Sequence, residues 1–144
     1  MKLGFKRGDH WYSTLTRMFT TSQWSHGAVA IERPEGWRLY ESSATKGVHH
    51  KSGVRDYPLL PDVADDYHWF DLGTAGDQDA LNRYELVKNH GYDFFSLLSF
   101  LPIFNVRDSS RLYCWELVLW MVGGYAKWRV TPEIILTFIL KRQA

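Results

Sequence analysis

One cysteine, Cys114, and six histidines are the side chains of this 144-residue chain best suited to covalent or acid–base chemistry. Cys114 lies in SSRLYCWELVLWMVGG. Ser109 and Ser110 are cap-type residues, and Leu117, Val118 and Met121 recur at helical spacing, so the pattern predicts a helix beginning close to Cys114. A thiol in the first turn of a helix meets the positive end of the macrodipole and backbone N–H groups without intrahelical partners. Both favour the thiolate, which is the nucleophilic form. A free cysteine in an apolar stretch is more often an inert core residue. Chemistry at Cys114 therefore requires a base within reach.

His26, in SQWSHGAVAIE, is the strongest candidate for that base. It opens a strand after a Ser-rich turn. If the RPEG turn closes a hairpin with Glu32 opposite Trp37, His26 stands opposite Ser43 and Glu41 is its diagonal neighbour on the same face of the sheet. Diagonal positions lie about 7–8 Å apart at Cα, within reach of a long carboxylate and an imidazole. Such a pair would orient the ring and stabilise its charged form. The inference depends on register, because a slip of one residue turns Glu41 to the other face.

The remaining histidines are weaker candidates. His49 and His50 sit in a polar loop, TKGVHHKSG, where exposed imidazoles are common. His68 alternates with apolar neighbours in YHWFDL and reads as a strand surface residue. His90 suits a cationic position at a helix C-terminus, and His10 has no context that places it. No HExxH, HxH or CxxC pattern occurs, so the sequence predicts neither a metal site nor a cofactor; a site at His49 and His50 ranks last. A lone cysteine also excludes an internal disulfide framework and an all-cysteine zinc site.

Several elements must position these residues. The spacing predicts a short helix over 12–20 with Leu15, Met18 and Phe19 as its apolar stripe, and strands over 26–32 and 37–43. A further strand is expected at 67–72, and a helix over 77–90, with Asp77 near its cap and Gly91 as its stop. A second helix is expected over 93–101 and a third over 112–122, ended by Gly123-Gly124. Strands in the first half and helices in the second predict an α+β domain over 1–144, an antiparallel sheet packed against helices.

Composition narrows the function classes. Seventeen basic residues against 16 acidic ones leave no basic footprint, which argues against nucleic acid as the main partner. Aromatics at 16% and the lack of a long charge run argue against disorder. The opening MKLGFKRGDHWYS has only Leu3 and Phe5 before charged residues, unlike a secretory leader, so a cytoplasmic location is expected, with a phage-encoded origin also compatible. The most apolar windows, 94–104 and the ILTFIL run inside 130–140, are too short to cross a membrane, so no transmembrane segment is expected. No feature of the sequence specifies an oligomeric state.

Taken in order, several segments resemble one family, the circularly permuted branch of the NlpC-type papain-like cysteine peptidases (the YiiX/YaeF-like group, related to lecithin:retinol acyltransferases). The matching segments are KRGD at 6–9, STLTRMF at 13–19, WSHGAVAIE at 24–32 and LYESSATKGV at 39–48. They continue with HGYDFFSLL at 90–98, YCWELV at 113–118 and VTPEIIL at 130–136. The histidine precedes the cysteine by 88 residues, the reverse of the unpermuted order. The resemblance implies a permuted papain-like fold with Cys114 as nucleophile, His26 as base and Glu41 as the residue that orients it. It also implies that Tyr92 lies near the oxyanion. Trp115 departs from the pattern, standing where the family has a small residue, and is expected to crowd the cleft.

The implied reaction is thiolate acyl transfer, with amide hydrolysis of a peptide or cell-wall-type isopeptide preferred. A lipid ester substrate, handled by a hydrolase or acyltransferase of the same fold, is the alternative. The apolar 94–104 window and some of the seven tryptophans would then line the lipid site. From a different class comes a catalytically silent papain-like module that binds a protein or glycan.

Overall fold

The computed structural model describes residues 1–9, 11–44, 52–93, 110–125 and 130–143. Its elements are β1 (Lys2–Lys6), α1 (Trp11–Thr20), β2 (His26–Arg33), β3 (Gly36–Ser43), β4 (Gly53–Pro58), α2 (Pro61–Ala64), β5 (His68–Asp71), α3 (Asp77–Val87), α4 (Cys114–Met121) and α5 (Pro132–Gln143). The strands form one antiparallel sheet in the order β4-β3-β2-β1-β5. The architecture is α+β.

The β2–β3 hairpin is the frame of the sheet. Arg33 pairs with Gly36 around a two-residue loop, and Glu32 faces Trp37. Gly36 has φ +116°, a conformation that costs a residue with a Cβ, which explains a glycine at the exit of the turn. Alternation then sends Val29, Ile31 and Tyr40 to one face and Ala28, Ala30, Leu39 and Glu41 to the other. The first face carries the main core with Leu3, Phe5 and helices α3 and α4. The second is a smaller cluster closed by Tyr67, with Trp37, Tyr57, Val63 and Trp69 packed against it.

Helix α4, CWELVLWM, is apolar on nearly every side, as befits a helix enclosed by the sheet and other helices. Its approach to β2 is set by Gly27: a Cβ there would lie 2.2 Å from the Trp115 ring. Trp115 is fully buried and stacks on Phe5 at 5.3 Å between centroids. The expectation that Trp115 crowds the cleft is therefore corrected. Its side chain leaves α4 toward the sheet core, and the missing Cβ of Gly27 makes room for it. Gly27→Ala is expected to destabilise the domain by about 1–3 kcal/mol through overpacking. Urea denaturation monitored by tryptophan fluorescence would read this as a lower midpoint; an unchanged midpoint would mean that β2 and α4 are not in close contact.

Helix α1 turns out differently from its pattern. Ser13, Thr16 and Thr20 are its buried residues, whereas Trp11 and Met18 are 69% and 67% exposed. Its inner face is made of small hydroxylated side chains because it walls a polar cleft rather than the core, and Arg17 ties it down by donating to the Gly8 carbonyl at 2.6 Å. Strands β1 and β4, the short helix α2 and helix α5 were not anticipated by the patterns above. Helix α3 stops at Val87, short of residue 90. The helix expected over 93–101 lies almost wholly outside the described residues, as do His10, His49, His50 and the 94–104 window. Among the described residues, no helix is long and apolar enough to cross a membrane.

Candidate active site

The hairpin register places the first pair of site residues. Ala28 faces Glu41, so His26, two residues earlier on β2, is the diagonal neighbour of Glu41 on the same face. Their side chains meet, with His26 Nε2 2.6 Å from Glu41 Oε2. Engagement of Nε2 by the carboxylate leaves Nδ1 for a second partner.

The cysteine comes from α4. Cys114 is the first residue of the helix, with Tyr113 in extended conformation before it. The residue at the N-cap is Tyr113. The Glu116 carboxylate accepts from the Tyr113 N–H at 3.2 Å, and the first intrahelical bond runs from the Leu117 N–H to the Tyr113 carbonyl. Two contacts fix where the helix starts. Ser42 of β3 donates to the Leu112 carbonyl at 2.5 Å, and Tyr113 donates its hydroxyl proton to the Val130 carbonyl. The Cys114 Sγ comes to rest 4.0 Å from the carbonyl of Ser25, the residue before His26 at the start of β2.

The electrostatics of the group follow from burial and charge. Burial opposes a charged imidazole, but the Glu41 charge and hydrogen bonds with Cys114 and Glu41 outweigh it, raising His26 to about 10. His26 is thus an imidazolium at neutral pH and donates its Nε2–H to Glu41. Burial likewise opposes ionisation of Glu41, yet His26 and Arg55 hold its carboxyl well below the usual range. Tyr67 donates to Glu41 Oε2 at 3.3 Å, and burial followed by the Glu41 charge pushes its phenol well above its ordinary value.

Around this cluster lies a cleft of about 580 Å³ whose walls include Arg7, Asp9, Ser13, His26, Arg55 and Tyr92. Cys114 is 1% exposed and sits behind Ser25 and His26, which both line the cleft. The cleft carries charges of both signs, and Lys6 and Asp66 in its wall pair at 2.5 Å. The structure therefore pairs His26 with Glu41, sets Cys114 beside Ser25 next to that pair, and places Tyr92 on the wall of the same cleft. His68 is exposed on β5 and packs on Trp24 at 4.9 Å between ring centroids, remote in role from this group. His90 follows the end of α3 and spends its backbone groups on Val87 and Val54. Among the described residues no cluster of three or more His, Cys, Asp or Glu side chains could hold a metal ion.

Two participants escaped the sequence reading. Arg55 of β4 donates from Nε and Nη2 to Glu41 Oε1 at 2.8 and 2.5 Å, and Tyr67 closes the carboxylate from the other side. The alternation in GVRDYP could have marked 53–58 as a strand with Arg55 and Tyr57 on one face. Nothing in the intervening polar loop fixes its register against β3. No protein-family profile matches the chain, and no curated protein is significantly similar to it.

Proposed function

We propose that this protein is a cysteine hydrolase with a circularly permuted NlpC-type papain-like fold, acting on an amide bond of a peptide or cell-wall-type isopeptide. One arrangement carries the proposal: His26 is held by Glu41 at 2.6 Å, and the Cys114 Sγ at the start of α4 lies 4.0 Å from the carbonyl of Ser25, the residue next to His26. The family resemblance of the ordered motifs and the α+β architecture add support.

In this reading Cys114 and His26 work as a thiolate–imidazolium pair. The Cys114 sulfur attacks the carbonyl carbon, and the oxyanion takes a hydrogen bond from the Cys114 backbone N–H, which as a first-turn amide has no intrahelical acceptor. Tyr92 lines the cleft from which the substrate arrives and supplies a second donor. Collapse of the tetrahedral intermediate breaks the C–N bond, and the His26 proton leaves with the amine. Neutral His26 then takes a proton from water, whose oxygen attacks the thioester. Release of the acid restores the thiolate and the imidazolium.

The polar lining of the cleft favours an amide over a lipid acyl ester, since a hydrocarbon chain would meet Arg7, Asp9 and Ser13. Burial of Cys114 favours a second reading, a silent module that binds a partner in the same cleft. Alkylation separates the two. A working site labels at Cys114 with iodoacetamide faster than a free thiol at neutral pH, and peptide amides are cleaved in preference to acyl esters. Labelling slower than a free thiol, with no amide turned over, would establish the binding module.

A further inference from the structure

We propose that Arg55 is a positioning residue of this site: it clamps the outer oxygen of Glu41 so that the carboxylate stays ionised and fixed while His26 gains and loses its proton. The inference rests on the hydrolase reading and extends it to a fourth side chain. The two carboxylate oxygens have separate occupants. Oε2 takes His26 at 2.6 Å and the Tyr67 hydroxyl at 3.3 Å, while Oε1 takes both Nε and Nη2 of Arg55. Arg55 is the direct cross-strand partner of Glu41, so the clamp is built on the pairing of two strands and not on a loop. Its side chain is largely buried.

The need for the clamp follows from the reaction. Once His26 has given its proton to the leaving amine, Glu41 loses that neighbour's positive charge. The Glu41 side chain is only 4% exposed, and a buried carboxylate without a counter-charge takes up a proton. A neutral Glu41 would no longer favour the imidazolium when His26 must regain its proton from water. Among the described residues, the groups that act on Glu41 come from three segments. His26 comes from β2, Arg55 and Tyr57 from β4, and Tyr67 from the segment before β5. Burial and the Glu41 charge push both phenols up, so they offer hydrogen bonds but no charge. Lys6 of β1 lies over the Tyr67 ring and is paired with Asp66, and Cys114 of α4 acts through His26. Among the described residues, Arg55 is the permanently charged group bonded to Glu41.

The test is the pH profile of Cys114 alkylation by iodoacetamide in the parent, Arg55→Gln and Arg55→Lys. Removing the cation lets Glu41 take up a proton at higher pH, so the acid edge of reactivity in Arg55→Gln is expected to rise by about one pH unit or more. Its alkaline edge should stay in place or rise, because the negative charge felt by His26 is less neutralised. Arg55→Lys keeps the charge but loses the two-pronged contact, so its acid edge falls between the other two. Profiles of identical shape, lowered only in amplitude, would reduce Arg55 to a strand-to-strand tie and overturn the proposal. If Arg55→Gln does not fold, Arg55→Lys decides by the same criterion. A parent protein no more reactive than a free thiol would sink the hydrolase reading itself, and the role of Arg55 with it. A reactive parent with superposable variants would remove Arg55 alone.

Discussion

Cys114→Ala turns over no amide substrate above solvent background, a loss on the order of 10⁶-fold if Cys114 is the nucleophile, because the bond-forming atom is gone and nothing nearby replaces it. The described residues contain no second thiol, since Cys114 is the only cysteine of the chain. The substitution removes one sulfur from the first residue of α4, a site 1% exposed, and leaves Trp115, Leu117 and Val118 in their places. Loss of a single buried heavy atom costs about 1 kcal/mol. A domain of this size is stable by about 5–15 kcal/mol, so the variant stays folded. Three measurements settle the matter together: steady-state hydrolysis, an acyl-enzyme mass increment during turnover, and thermal unfolding. The parent should show the increment, and the variant should show neither the increment nor turnover while melting cooperatively. Turnover retained by Cys114→Ala would make the cysteine structural and return the protein to the class of binding modules.

Glu41→Gln keeps the shape of the carboxylate and discards its charge, and it is expected to lower the rate of amide hydrolysis by roughly 10²-fold. The glutamine oxygen can still accept from His26 Nε2, so the ring keeps its orientation; what is lost is the force that keeps it protonated. Burial already opposes the imidazolium, and the Glu41 charge is the largest influence raising it. Without that charge, the upper edge of the thiolate–imidazolium window moves down from about pH 10 toward neutrality. The pH profile of alkylation reads the change directly. Identical parent and variant profiles would mean that another group holds His26, with Ser43 at the neighbouring strand position the next candidate.

Stability responds as well, and the sign is fixed by linkage. The folded-state pKa of His26 is raised, so its contribution is fully present below 6.5 and lost as pH rises through about 10. The Glu41 value is depressed, so its contribution is present above the ordinary carboxylate range and lost as pH falls toward the low folded value. The pair stabilises the fold across the neutral range, and Glu41→Gln removes both halves at once. It also leaves Arg55 and His26 facing a neutral amide, a cost of about 3 kcal/mol for a broken buried pair. Urea denaturation at neutral pH should show that loss with a cooperative transition retained.

The sequence alone determined the parts that obey short-range rules. The RPEG turn and the alternation on either side of it dictated the hairpin, and Glu32 does face Trp37. Because side chains repeat every second residue along a strand, that single register places His26 and Glu41 on one face. The helix beginning at Cys114 was likewise legible in its apolar run, although its cap is Tyr113 with Glu116 rather than the serines. Only the tertiary structure decided what lies across space from these residues. Trp115 adjoins Cys114 in sequence, but the missing Cβ of Gly27 draws it into the core and away from the cleft. The stripe on α1 is apolar, yet the helix turns its hydroxyls inward because the surface it covers is the polar cleft. Arg55 reaches Glu41 through the pairing of β3 with β4, and the residue pattern between the two strands does not encode that register. Periodicity fixes which residues share a face of one element. Which element that face meets depends on packing between segments far apart in the chain, and so the partners of Cys114 and Glu41 emerge only when the sheet closes over α4.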